Sequence, residues 1–137
     1  MSGKSGTPLK GYEELIKLLK FDDEGLTPAV IQDAASKQVL TLCYLNREAL
    51  KKSLETGTVH LFRRSQNKLM QKGETSGHIQ VIRQVMMDCE GKSVVLLVEQ
   101  HMAACHAGYF TCYFRQLTSD GTVKTVGERV FDPAKVY

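Results

Sequence analysis

Two thiols and an imidazole lie within the stretch CHAGYFTC, which contributes Cys105, His106 and Cys112 to a chain with only four cysteines. Gly108 lies between the two thiols, and a bend there can direct both sulfur atoms to one point, as zinc requires at ~2.3 Å from each thiolate. Cys89, on a polar turn, can add a third thiolate and leave the fourth position to water or an imidazole. The spacing is not that of a standard zinc finger, so free or catalytic thiols are the alternatives.

The fourth cysteine and the other histidines are interpreted as structural. Cys43 lies in the apolar segment LTLCYL, where a cysteine is usually a small buried hydrophobic residue of a strand. His60, His78 and His101 lie on or beside predicted strands, where a single histidine is more often packed or exposed than catalytic.

The segment KGETSGH is a second candidate site. Its Lys72, Thr75 and Ser76 can hold a phosphate through charge, hydroxyl groups and the backbone N–H groups that neighbouring glycines leave accessible. The alternative is a solvated turn, because Gly, Ser, Thr and Glu are common turn residues.

Composition and charge exclude several classes of protein. The 137 residues are 42% hydrophobic, and no apolar run approaches the ~20 residues of a membrane span. The 18 basic residues are dispersed and nearly balanced by 15 acidic ones, which is not the footprint of a nucleic-acid-binding protein. We expect a flexible tail over residues 1–11, one domain over 12–137, and the cytoplasm as location, where thiols stay reduced.

The pattern of elements predicts an α+β fold with two or three helices and a mostly antiparallel sheet. A helix is predicted over Tyr12–Lys20, and a second over REALKKSLET, between an N-cap at Asn46 and a terminating Gly57. The predicted strands are Ala29–Asp33, Val39–Leu45, Val59–Arg63, two runs joined in a hairpin at EGK, the segment YFTCYFRQL, and a weak final strand.

These motifs together resemble the phosphoribosyl-AMP cyclohydrolase family. The likeness runs from DDEGLTPAVIQDAASKQVLTLCYLNREAL through KGETSGH and DCEG to VEQHMAACHAG and CYFR. It implies hydrolytic opening of the adenine ring of N1-phosphoribosyl-AMP at the N1–C6 bond, a step of histidine biosynthesis.

The resemblance also implies a cofactor and a partner. Cys89, Cys105 and Cys112 fit the family's zinc ligands, two from one subunit and one from its partner, in an intertwined homodimer. Water on the zinc then supplies the nucleophile. His106 is the candidate for proton transfer, with a fourth zinc ligand or an orienting neighbour of the ligands as alternatives.

In the family's pattern the KGETSGH loop binds substrate rather than forming a bare turn. Lys72, Gly73, Thr75 and Ser76 are then predicted to hold a phosphate of the nucleotide together with Arg64.

The chain departs from the family pattern at the magnesium hairpin, at Gln66 and Met70, where relatives have arginine and tryptophan, and directly after the CHAG segment. The family's hairpin has three alternating aspartates that bind magnesium, and here the positions are Asp88, Glu90 and Lys92. A lysine cannot ligate magnesium, so this site is lost or reduced to two carboxylates with waters.

Tyr109 and Phe110 replace paired arginines. Two alternatives follow: a zinc-keeping paralogue that hydrolyses another purine-like or amidine substrate against this aromatic wall, or a non-catalytic dimer stapled by zinc.

Overall fold

The computed structural model describes residues 8–63, 68–71, 79–100, 109–127 and 129. These residues form the predicted α+β fold, with two helices and eight strands in the described ranges. The helices are Tyr12–Leu18 (α1) and Arg47–Thr56 (α2). The strands are Leu26–Asp33 (β1), Val39–Asn46 (β2), His60–Arg63 (β3), Lys68–Gln71 (β4), Gln80–Met87 (β5), Val94–Gln100 (β6), Arg115–Leu117 (β7) and Val123–Thr125 (β8).

A four-stranded sheet in the order β2-β1-β6-β5 is the centre of the molecule. β1 pairs with β2 and β5 pairs with β6 in antiparallel fashion, while the two central strands β1 and β6 run parallel. The predicted, mostly antiparallel sheet is therefore confirmed. The parallel pair was not anticipated, because sequence patterns report neighbouring hairpins and carry little information on how two hairpins join.

One face of this sheet forms the hydrophobic core. Residues of β1 alternate between half-buried and buried along the whole strand, as expected for a strand with one covered face. Ala29 and Ile31 point into the core, where they join Leu96 of β6 and Leu50 and Leu54 of α2, all fully buried.

Both ends of α2 are fixed as predicted. The Asn46 side chain accepts a hydrogen bond from the backbone N–H of Ala49 at 2.8 Å, and Gly57 ends the helix in the left-handed conformation at φ 78°. The first helix stops at Leu18, two residues earlier than predicted, because Leu19 is extended at φ −75° and ψ 140°.

The predicted strand over YFTCYFRQL is wrong for its first part. Only Arg115–Leu117 is a strand, paired with β8, and residues 110–114 form bends and irregular backbone. The backbone N–H of Cys112 and the hydroxyl of Thr111 donate to carbonyl groups of β2 instead of pairing in a ladder of their own.

The two ends of the sheet carry different parts of the chain. β1 and β6 finish, and β2 and β5 begin, at one end, which we call the Gln100 end after the last residue of β6. At the opposite end β5 turns into β6 through residues 88–93, which we call the Cys89 loop.

The division into a tail and one domain stays a prediction, since residues 1–7 lie outside the described ranges. Within the predicted tail, the backbone N–H of Leu9 donates to the carbonyl of Leu54 at 3.0 Å. In the part of the chain that the structure describes, neither helix has the length and apolar character needed to cross a bilayer.

Replacing Asn46 with Ala should destabilise the protein by about 1 kcal/mol, because the N–H of Ala49 loses its acceptor at the helix start. Urea denaturation of the two proteins measures the difference. Asn46→Asp keeps an accepting oxygen and serves as the matched control. Equal loss in both variants would show that the cap does not carry the effect.

Candidate active site

The Cys89 loop is organised by the carboxylate of Asp88. Its Oδ1 accepts hydrogen bonds from the backbone N–H groups of Glu90 and Lys92, at 3.0 and 2.8 Å, and its Oδ2 accepts from the Ser93 hydroxyl at 2.6 Å. These bonds, with the Ser93 hydroxyl as the largest cause, hold the pKa of Asp88 below its usual range. The loop therefore presents Cys89, which is exposed, from a defined backbone.

Gly91 joins this loop to the end of the first helix. It adopts φ +72°, and its carbonyl accepts from the backbone N–H of Lys20 at 2.7 Å. A Cβ at this position would lie 2.6 Å from the carbonyl oxygen of Leu18. The close approach of the two backbones thus requires a glycine.

The predicted magnesium ligands are already engaged. Both oxygens of Asp88 accept bonds from its own loop, and Glu90 forms an exposed ion pair with Lys92 at 3.4 Å. A magnesium ion needs oxygen ligands that are free to turn toward it, in near-octahedral geometry. In this arrangement Lys92 adds positive charge beside the two carboxylates, which disfavours magnesium.

Cys112 is held at the other end of the sheet. Its backbone N–H donates to the carbonyl of Leu40 at 2.7 Å, and the neighbouring Thr111 hydroxyl donates to the carbonyl of Val39 at 2.6 Å. On the other side, Gln100 donates from Nε2 to the carbonyl of Phe110 at 2.7 Å. Residues 110–112 are therefore tied to β2 and to β6, and Cys112 is half-buried between them.

Cys89 and Cys112 are held at different places on the four-stranded sheet. Cys89 lies in the loop that precedes β6, whereas the backbone of Cys112 is bonded to Leu40 near the start of β2, an edge strand separated from β6 by β1. Within residues 8–63, 68–71, 79–100 and 109–127, no cluster of three metal-binding side chains is formed.

The remaining predicted site residues lie outside the described ranges: Arg64, Lys72, Gly73, Thr75, Ser76, Cys105 and His106. Their roles stay predictions. The described residues that flank segments 72–78 and 101–108 include Gln80 and Gln100, which pair at the Gln100 end of the sheet. Cys112 is tied to this same end.

Sequence reasoning missed a glutamine pair at the Gln100 end. Gln80 is fully buried and donates from Nε2 to Oε1 of Gln100 at 2.7 Å, and Gln100 donates onward to Phe110. A glutamine in a strand gives no signal that separates a buried, bridging side chain from an exposed one. Ser93 and Thr111 were missed for the same reason.

Three other sequence interpretations can be compared with the structure. Cys43 lies on β2 and packs against the core, although it is half-buried rather than fully buried. His60 is buried, with Nδ1 2.9 Å from the carbonyl of Thr58, so it is packed within the protein, as predicted. Tyr109 stacks on Phe114 with centroids 4.0 Å apart, and Phe110 packs against the core, so both rings have partners in the chain.

Comparison with known proteins agrees with the resemblance found in the sequence. The family model described as phosphoribosyl-AMP cyclohydrolase matches residues 41–114. The phosphoribosyl-AMP cyclohydrolase of Methanosarcina mazei is 52% identical over 119 residues, which cover 87% of this chain and 95% of that protein. The enzyme of the same name from Pelotomaculum thermopropionicum is 47% identical over 119 residues, with 87% and 92% covered.

A longer relative is the histidine biosynthesis bifunctional protein HisIE of Thermoanaerobacter pseudethanolicus. It is 48% identical over 125 residues, which cover 91% of this chain but 57% of that protein, less than two thirds of its length. The family match spans more than half of the chain, and relatives near 50% identity align with almost all of it. The chain therefore belongs to the phosphoribosyl-AMP cyclohydrolase family.

Proposed function

We propose that this chain hydrolyses N1-phosphoribosyl-AMP in histidine biosynthesis, opening the adenine ring at the N1–C6 bond, at a zinc site that two subunits share. Family membership supports the reaction, since relatives that align along most of their length are named for it. The opposite placement of Cys89 and Cys112 is the observation that supports the shared site.

The donor set fits zinc. Thiolates are soft ligands that zinc accepts in tetrahedral sites, and the exposed Cys89 of one subunit can approach the half-buried Cys112 of another. Cys105 completes the proposed ligand set from the same subunit as Cys112. With three protein ligands, one coordination position stays open, as in catalytic rather than structural zinc sites.

A homodimer is supported by an apolar row on the face of the main sheet that points away from the core. Leu42, Val30, Val95 and Met86 stand in register across all four strands on the side away from the core. Leu42 and Met86 are 43% and 42% exposed, and Tyr44 on the same face is 58% exposed. An apolar row of this kind suits burial against a second copy.

Each side chain then has a defined task. When bound, zinc lowers the pKa of a water molecule and so supplies a nucleophile near neutral pH. Asp88 fixes the loop that presents Cys89, and the bonds to Leu40 and Phe110 fix the segment of Cys112. His106 transfers protons, because an imidazole with a reference pKa of ~6.5 can both accept and release one near neutrality.

The phosphorylated end of the substrate is assigned to the loop at 72–76. Lys72, Thr75 and Ser76 supply charge and hydroxyl donors, Gly73 leaves backbone N–H groups accessible, and Arg64 adds a second cation. No described residue favours a different substrate. Phe110 packs against the core and one face of Tyr109 is covered by Phe114, which argues against the aromatic wall expected for a paralogue.

The purified, zinc-loaded protein should convert phosphoribosyl-AMP, as followed by ultraviolet absorbance. Added magnesium should leave the rate nearly unchanged, because Asp88 and Glu90 are held by Ser93 and Lys92. A protein that binds zinc but does not turn over this substrate would contradict the proposed reaction. A rate that depends steeply on magnesium would contradict the account of the loop.

The shared site predicts complementation between two inactive variants. Cys89→Ser and Cys112→Ser should each abolish zinc binding at the site and activity. In their heterodimer, Cys89 of one chain meets Cys112 of the other at one of the two sites, so about half of the wild-type activity should return. Differently tagged, co-expressed chains allow the heterodimer to be purified and assayed.

Cys43→Ser is the matched control for this experiment, since Cys43 lies on β2 away from both sheet ends and should keep zinc and activity. A site formed within one chain predicts no recovery in the heterodimer, because each chain then carries one broken site. That result would refute the shared site while leaving the reaction itself open to the turnover assay.

Lys72→Ala should raise the KM for phosphoribosyl-AMP by at least about tenfold, because a charge-assisted hydrogen bond to phosphate contributes roughly 1.5–3 kcal/mol. Steady-state kinetics separate this effect from a change in kcat. Lys51→Ala removes an exposed lysine of α2 and is the control. Equal KM values for the two variants would remove Lys72 from the phosphate site.

A further inference from the structure

A chain of side-chain amides connects β5, β6 and the Cys112 segment. Gln80 donates from Nε2 to Oε1 of Gln100 at 2.7 Å, and Gln100 donates from Nε2 to the carbonyl oxygen of Phe110 at 2.7 Å. Gln80 is fully buried and Gln100 is half-buried. We propose that Gln80 and Gln100 form an amide relay that positions Cys112, two residues beyond Phe110, for metal binding.

The direction of the relay is fixed by its last acceptor. The carbonyl of Phe110 can only accept, so Gln100 must direct its NH₂ group to it and its oxygen to Gln80. Gln80 must then direct its own NH₂ group to Gln100. Rotating either amide by 180° would place two oxygens in contact, and each side chain therefore has one satisfactory orientation.

Among the described residues, this orientation leaves Oε1 of Gln80 buried without a hydrogen-bond partner. A buried, unpaired acceptor costs free energy, and a hydrophobic side chain of similar size would avoid that cost. A glutamine at this position is therefore not explained by core packing. The relay to Gln100 and Phe110 gives a reason for it.

The relay complements the bonds on the other side of the segment. Thr111 and Cys112 are tied to the start of β2, through the carbonyls of Val39 and Leu40. Those bonds tie the segment to the edge strand of the sheet. The bond from Gln100 to Phe110 ties it to β6 as well, on the far side of β1, so the segment is held by two strands.

The proposed function enters this inference only through the role of Cys112 as a zinc ligand. The test therefore begins with the metal-free protein. Gln100→Leu should raise the alkylation rate of Cys112 by roughly three- to tenfold, because loss of the anchor makes local opening easier. Tandem mass spectrometry assigns the label to each cysteine, and the rate at Cys43, on β2, should stay constant as an internal reference.

The second readout is the zinc affinity of the same variants, from competition with a chromophoric chelator. Groups that orient a metal ligand typically change affinity about 10–100-fold when removed, so Gln100→Leu and Gln80→Leu should each weaken zinc binding by at least about tenfold. Gln116→Leu replaces an exposed glutamine of β7 and should leave zinc affinity and thiol reactivity unchanged. Thermal denaturation of all three separates this effect from global destabilisation.

The outcomes are distinct. Wild-type alkylation of Cys112 and wild-type zinc affinity in both relay variants would overturn the proposal. Faster alkylation of Cys112 in Gln100→Leu, together with wild-type zinc content in Cys112→Ser, would support the relay. The same pair of results would refute the assignment of Cys112 as a zinc ligand. If Gln100→Leu does not fold, Gln100→Asn is measured in its place, since its shorter amide cannot span both Gln80 and Phe110.

Discussion

The parallel pairing of β1 with β6 is the constraint on which the rest of the structure depends. It joins two antiparallel hairpins into one sheet and brings the ends of both strands to the same edge. The hairpin turn that carries Cys89 is thereby directed away from the segment that carries Cys112. This register therefore places the two thiols toward opposite ends of the sheet, which supports the proposed sharing of a zinc site between two subunits.

Much of this arrangement could be predicted from the sequence, where local chemistry decides the outcome. Asn46 and Gly57 bound α2 because capping depends on a few neighbouring groups, and alternating apolar residues gave both hairpins of the sheet. The irregular backbone at Cys112 could not be predicted. It depends on carbonyls of β2 more than seventy residues earlier in the chain, and apolar residues in that segment read equally well as a strand.

The candidate site shows the same division. The zinc centre expected from the cysteines and the family resemblance stays a prediction. The loss of a magnesium ligand at Lys92 can be read from the sequence, because charge and ligand type are properties of single residues. The use of Asp88 as the acceptor for its own turn depends on the fold of that turn. So does the role of Gln80, since a glutamine can be buried only where another group accepts its hydrogen.

Gly91 has a consequence for how this chain can vary. The Cys89 loop and the end of α1 approach so closely there that any side chain would collide with the backbone at Leu18. Most residues of this turn are exposed. A side chain at position 91 would nevertheless have to push the first helix away from the sheet. Although the loop is exposed, position 91 therefore does not tolerate substitution by itself. A side chain there would require a compensating change at the end of the N-terminal helix.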